Sequence, residues 1–330
     1  MLKIGVLGTG HLGKIHLKCI QLASETYELV GFYDPDDRAA QQVIDTYQIT
    51  RFRTPQELFA AVDVVDIVTP TTTHFEMAVQ AIRAGKHFFI EKPITRTVEE
   101  AEELIKLAQE FKVKAQVGHV ERFNPALLAL EDMELDPMFI EAHRLAVFNP
   151  RGTDVSVILD LMIHDLDIVL SIVKSDVKFI SASGVAVASE TPDIANARIE
   201  FENGCVANLT ASRISLKQMR KVRFFQKDAY ISLDFLEKQA QIVRLYDQDS
   251  AHLPADANLM ELETANGKKL IHVYMPEMEA VNAIKMELES FGQSILQNTT
   301  PKVPLEDGYK ALKVAHDIVK EIEKRAAVLT

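Results

Sequence analysis

Cysteine is scarce: Cys19 and Cys205 are the only two in 330 residues, and neither sits in a CxxC or mixed Cys/His spacing. A disulfide framework and a thiolate zinc site are therefore excluded, and no metal is expected. Long apolar runs are missing too. None approaches the ~20 residues that span a bilayer, so no membrane partner is expected. The opening residues MLKIGVLGTG enter a strand at once and lack the pattern of an export leader, which predicts a cytoplasmic protein. Basic residues are in the minority, 36 Lys and Arg against 48 Asp and Glu, for a formal net charge of −12. Such a surface repels a phosphate backbone and argues against nucleic-acid binding. A small phosphorylated ligand in a locally basic pocket stays open. Internal repeats and low-complexity tracts are absent.

What remains is ordinary globular composition, 47% hydrophobic and 25% charged, in a length that suits two domains. In the N-terminal part, strands and helices alternate: strands at 2–7, 28–33, 64–68, 87–90 and 113–117, helices at 12–24, 36–47, 74–84 and 97–110. Alternation of this kind predicts a doubly wound parallel sheet with helices on both faces, a Rossmann-type α/β domain over 1–122. The rhythm changes near 123. Helices are expected at 126–135 and 156–173. Strands are expected at 138–147, then in series at 177–187, 194–201, 205–213, 220–226, 229–234 and 240–246, with Asn203-Gly204 as a hairpin turn. Serial strands predict a large, mostly antiparallel sheet in an α+β domain over 123–330. Helices at 277–297 and 305–328 close the chain, the last one free to pack back on the first domain.

Gly8-Thr9-Gly10-His11-Leu12-Gly13 is a G-x-G-x-x-G placed where a dinucleotide fingerprint must be, after a strand and opening a helix. Gly8 permits the tight turn, Gly10 lets the backbone approach a pyrophosphate, and Gly13 lets helix and strand pack closely. The helix N-terminus supplies N–H groups for the anion. Asp34 ends the second strand about twenty residues on, where a carboxylate accepts from ribose hydroxyls and repels a 2′-phosphate. Arg38 lies one turn further and could stack on adenine or attract that phosphate, while Asp36 and Asp37 oppose it. NAD is the cofactor this pattern predicts.

Two further features carry chemistry. Glu91-Lys92-Pro93 follows a strand at its ligand-binding end, where a lysine would face the nicotinamide. The helix predicted at 156–173 is apolar over most of its surface, yet Ser156, Asp160, His164, Asp167 and Ser171 form one stripe. A buried polar stripe should face a ligand, a cation or a wet cleft. Histidine suits proton removal from an alcohol near neutral pH, and Asp160 at i−4 can orient its ring.

These motifs together resemble the Gfo/Idh/MocA family (glucose–fructose oxidoreductase and inositol dehydrogenase) over essentially the whole chain. The resemblance rests on GTGHLG at 8–13, EKP at 91–93 and Asp160-x-x-x-His164, with Thr69-Pro70 and His74 similar to the family's cofactor loop. It implies an NAD-dependent dehydrogenase acting on a CH–OH group, with Thr9, His11, Leu12, Thr69, Pro70, His74, Glu91 and Lys92 around the cofactor. It implies Lys92, Asp160 and His164 at the reacting carbon, His164 as acid/base. It also implies a homodimer or homotetramer built on an exposed sheet face. A narrower likeness, in 118–125, 160–165 and 212–215, is to UDP-N-acetylglucosamine 3-dehydrogenases, which oxidise a sugar 3-hydroxyl to a ketone. Relatives often carry glycines where this chain has Val157-Ile158-Leu159, which bears on pocket shape. Arg122, Asn124, Arg151 and Arg213 are the substrate-binding candidates, with Arg144, Arg220 and Lys221 as further basic residues for a diphosphate. A dehydrogenase of a free sugar, an inositol or a sugar phosphate is the alternative within enzymology. An NAD-binding sensor without turnover is the alternative of another class.

Overall fold

The first strand, β1 (Leu2–Leu7), runs into complete burial at Ile4, Val6 and Leu7, as a central parallel strand covered on both faces should. In the computed structural model, which describes residues 1–149, 155–250, 253, 258–264 and 267–329, it is followed by α1 (His11–Leu22), β2 (Tyr27–Tyr33), α2 (Asp37–Tyr47), β3 (Thr50–Arg51) and α3 (Pro55–Ala61). Then come β4 (Val64–Ile67), α4 (Thr71–Arg83), β5 (His87–Glu91), α5 (Val98–Glu110) and β6 (Ala115–Gly118). All strand pairs are parallel, in the order β3-β2-β1-β4-β5-β6. The order reverses between β1 and β4, and ligands of such sheets lie outside the carboxyl ends of the strands at this point. Helix α3 falls where no element was expected. Its signals are local: Pro55 at the first position and Thr54 Oγ accepting from Glu57 N at 3.2 Å.

The chain continues with a one-turn α6 (Pro125–Leu128), β7 (Phe139–Leu145), a π-helical turn at Ile158–Met162 and α7 (Ile163–Ile172). Helix α6 stops well short of the helix expected at 126–135. Glu131, Asp132 and Glu134 would crowd the negative end of a longer helix, and the chain instead makes tight turns from Leu130 N to Leu127 O and Met133 N to Leu130 O. Strands follow as β8 (Val177–Val185), β9 (Ile194–Phe201), β10 (Val206–Ser212), β11 (Met219–Phe225), β12 (Ala229–Asp234), β13 (Gln239–Asp247), β14 (Leu259–Thr264) and β15 (Gly267–Tyr274). They form one sheet with β7, in the order β14-β15-β13-β12-β11-β7-β10-β9-β8, antiparallel except for β7 with β10. The hairpin β14–β15 was not expected. Its strands are largely exposed and bury too few side chains to show a two-residue alternation. Helices α8 (Ala283–Leu296) and α9 (Leu305–Leu329) complete the chain.

Two compact units result, Met1–Phe123 with Asn282–Lys313, and Asn124–Val281 with Val314–Thr330. A single cut after residue 122 therefore does not describe the division: α8 returns to the first unit, and so does the start of α9, the helix expected to be free to do so. Leu288 and Phe291 of α8 join Ile4, Val6, Leu17, Ile20, Phe32 and Phe89 in its core. The second core is built from inward residues of the large sheet, among them Ile140, Ala142, Ile199, Leu209, Phe224 and Ile231, packed against Leu166 and Val169 of α7 and Ala315 and Ile318 of α9.

Candidate active site

The glycine loop joins β1 to α1, and its geometry accounts for its residues. Gly8 has φ of +88°, and a Cβ there would also lie 2.8 Å from the Val68 carbonyl oxygen. A Cβ on Gly13 would come within 2.1 Å of the Gly8 carbonyl oxygen, so helix and strand could not approach as they do. A Cβ on Gly10 would meet no protein atom within 4 Å, so nothing in the protein's own packing demands glycine there. The first turn of α1, with His11 exposed and Leu12 half-buried, carries no side-chain cap, which leaves its N–H groups for an anion.

Asp34 is buried beside this loop. Its Oδ2 accepts from Thr9 N at 2.7 Å and Thr9 Oγ at 2.9 Å, and its Oδ1 accepts from Asp36 N at 2.9 Å. Thr9 thus fixes the carboxylate at the carboxyl end of β2. Asp36 caps α2, accepting from Arg38 N and Ala39 N, and these N–H groups, that of Ala39 foremost, hold its carboxyl below the usual range. Arg38 itself is exposed. A cation that the sequence reading missed lies close by: Arg51 of β3 donates to the Asp34 carbonyl at 2.9 Å and pairs with Asp37 at 2.7 Å. A two-residue strand gives no pattern by which it could have been found.

Thr69-Pro70 and Glu91-Lys92-Pro93 end the neighbouring strands β4 and β5. His74 ties the two loops together, with ring nitrogens 2.9 Å from the Pro93 and 2.9 Å from the Thr69 carbonyl oxygens. Burial, the largest influence on it, lowers its pKa against the pull of those carbonyls. His74 therefore shapes the cofactor loops from within rather than lining their surface. The Glu91 carboxylate also turns inward, to His16 Nε2 at 3.2 Å and to the Lys92 N–H at 3.2 Å. Lys92 is half-buried at the strand end.

In the second unit, Asp160 and His164 straddle the junction of the π turn and α7. A π turn inside a helix is rare and recurs at functional sites. Asp160 N still bonds Ser156 O at 2.9 Å. None of the five polar stripe residues is exposed: Asp167 is buried, and Ser156, Asp160, His164 and Ser171 are half-buried. The stripe is not a solvated face.

Several basic and polar candidates are taken up by the fold. Asn124 caps α6 through Ala126 N at 3.1 Å and donates to Phe235 O at 3.0 Å. Arg213 is buried, donates to the Val155 carbonyl and stands 4.0 Å from Asp193. Arg122 pairs with Asp307 at 3.0 Å, and Arg144 is locked on Asp165. Through these bonds Asn124 and Arg213 take part in the framework of their own unit. Arg151 lies outside the described residues.

Residues 2–119 match the model of an oxidoreductase family with an NAD-binding Rossmann fold, and residues 142–230 match the Gfo/Idh/MocA C-terminal domain. The chain belongs to the Gfo/Idh/MocA oxidoreductase family. Members similar to it include the UDP-N-acetylglucosamine 3-dehydrogenase of Acidithiobacillus ferrooxidans, 41% identical over 73% of this chain and 76% of the relative. A solved structure of that enzyme superposes with a TM-score of 0.87 over 98% of both chains, at 34% identity. The NAD-dependent scyllo-inositol 2-dehydrogenase of Bacillus subtilis is 29% identical over 64% of this chain and 68% of its own length.

As a Gfo/Idh/MocA oxidoreductase, the chain uses NAD as its cofactor and is a dehydrogenase acting on a CH–OH group. The first unit's own residues fit that cofactor: the loop at Gly8–Gly13 for the pyrophosphate, and Asp34, held by Thr9, for the ribose. Among the described residues, no helix is long and apolar enough to cross a membrane.

Proposed function

We propose that this dehydrogenase oxidises the 3-hydroxyl of a UDP-N-acetylhexosamine to a ketone in the cytoplasm. The observation that carries the reading is the match at 41% identity, and across 98% of both chains in structure, to an enzyme named for that reaction. NAD, when bound, accepts the hydride. The proton goes to His164 as a neutral imidazole; Asp160, four residues earlier, orients the ring and stabilises its cationic form, and Lys92 assists at the same oxygen. Among the described residues, Arg220 is a candidate cation for a diphosphate: it lies opposite Arg144 in the β11–β7 pairing, on the face that carries α7, and is exposed. NADH formation is expected with UDP-N-acetylglucosamine and not with N-acetylglucosamine, its 1-phosphate or myo-inositol. Turnover of the free sugar or polyol alone would overturn the reading.

One observation favours a free polyol instead. Arg122, Arg144 and Arg213 are all engaged within the protein, which leaves few of the expected cations for a diphosphate. The same substrate panel decides between the two. For assembly, we propose a homodimer or homotetramer through the outward face of the large sheet, where Glu141, His143, Asn196, Arg198, Asn208 and Thr210 project away from the core. Light scattering showing a monomer at micromolar concentration would exclude it.

Two results follow from the site. NAD is expected to bind more tightly than NADP, because Asp34 and the capping carboxylate of Asp36 repel a 2′-phosphate. Isothermal titration checks this, and equal affinities would refute it. Lys92→Met and Asp160→Asn are each expected to lower turnover by roughly tenfold or more, about 1.4 kcal/mol of barrier, with NAD affinity nearly unchanged. Near-normal turnover in either variant removes that residue from the chemistry.

A further inference from the structure

A polar cluster lies inside the first unit, on the face of the sheet that α1 and α8 cover. Asp66, Phe89 and Gln116 are paired across β4, β5 and β6, so their side chains share that face, and Glu91 lies two residues beyond Phe89 on the same side. His16 of α1 and Glu287 of α8 pack over them. His16, Asp66, Gln116 and Glu287 are fully buried, and Glu91 nearly so. His16 Nδ1 is 2.9 Å from Asp66 Oδ2, and its Nε2 is 3.2 Å from Glu91 Oε1.

The cluster is incomplete as a hydrogen-bonded network. Among the described residues nothing donates to either carboxylate oxygen of Glu287, to Asp66 Oδ1 or to Gln116 Oε1. Gln116 spends its amide N–H on the Glu287 backbone carbonyl, at 2.8 Å. Four buried acceptor oxygens thus lie in one neighbourhood without a donor, and buried acceptors are almost always met. Donor atoms of His16, Glu91 and Glu287 all lie within 4.8 Å of one another.

We propose that this cluster is a site for a divalent first-row cation, held by His16 Nε2, Glu91 and Glu287, with Gln116 Oε1 as a further oxygen ligand. Nitrogen and carboxylate donors of this kind bind zinc at about 2.0–2.2 Å, which puts neighbouring donors roughly 3.3–3.6 Å apart. The His16–Glu91 separation already falls close to that range. Asp66 acts from behind: by accepting the Nδ1 proton it turns the Nε2 lone pair toward the cation, the arrangement in which a carboxylate orients a metal-bound histidine. Protons alone explain less. Burial, and then the charge of Glu91, push the Glu287 carboxyl well up, so it could be neutralised by a proton. A single proton on Glu287 could serve only one of the orphaned oxygens as its acceptor and would leave the others unmet. A cation neutralises the carboxylates and uses the orphaned oxygens together.

Because the site is closed, loading is tested through folding. The wild type would be unfolded and refolded in EDTA, in Zn²⁺ or in Mn²⁺, desalted and assayed for metal by mass spectrometry, and melted. About one ion per chain is expected after refolding with metal, together with a higher melting temperature than that of the EDTA sample. Glu287→Gln should lose the ion, and Asp66→Asn should weaken its affinity roughly 10- to 100-fold. Wild type that holds neither ion stoichiometrically and melts as the EDTA sample does overturns the proposal without recourse to any variant. So does an ion that survives Glu287→Gln. Neither readout depends on the substrate assigned above.

Discussion

His164→Ala is expected to slow turnover by roughly 100- to 10,000-fold, the range for a positioned acid/base. The rate of the wild type should rise with pH as the imidazole loses its proton, and this limb should vanish in the variant. A histidine that merely fills space would behave otherwise. Its removal would open a cavity and lower stability, leaving the pH profile unchanged. His164 is half-buried on a stripe of which no member is exposed, directly after a π turn, and this placement favours the chemical role. Lys92, half-buried at the end of β5, is the rival base. The profile of Lys92→Met is therefore measured beside that of His164→Ala. Ordinary turnover with an unchanged profile in the histidine variant would falsify the assignment.

The readable parts of the sequence are those whose cause is local. Gly8 and Gly13 are required by the turn and the helix within a few residues of themselves, so the motif and its structural reason coincide. Strand and helix alternation through residue 118 follows in the same way from burial on both faces of a parallel sheet. The roles of polar side chains near a motif were less legible, because their partners are remote. Arg122 and Asn124 stand beside each other, but one meets Asp307, 185 residues away, and the other the carbonyl of Phe235, 111 residues away. No periodicity reports such a pairing. His16 shows the same limit: its spacing from Gly13 and Ile20 places it on the buried side of α1, but nothing local indicates that three carboxylates converge around it. The sequence pattern at Asp160 is that of a plain helix, because the one extra residue per turn of the π turn barely disturbs an apolar pattern that covers most of the surface.

Asp165→Ala should destabilise the second unit by about 3–5 kcal/mol, the usual effect of removing one partner of a buried pair. Arg144 on β7 donates to Asp165 through Nε at 3.1 Å to both carboxylate oxygens and through Nη2 at 2.8 Å to Oδ1. Both residues are almost fully buried. The pair pins the first turn of α7 to the sheet, and His164 is the residue just before Asp165. Removing the carboxylate takes this counter-charge from a guanidinium in a low-dielectric interior, a cost well above the net worth of the pair itself. The combination Arg144→Met with Asp165→Leu removes both charges and keeps the volume filled, so it should recover most of the lost stability. Urea denaturation of the three variants measures this directly. A single-variant loss below about 1 kcal/mol, within the range of an exposed pair, would mean that water reaches the site. A double variant no more stable than the single would mean that packing, rather than the uncompensated charge, sets the cost. If the double variant refolds fully and turnover still falls, the pair's contribution lies in holding the turn that presents His164.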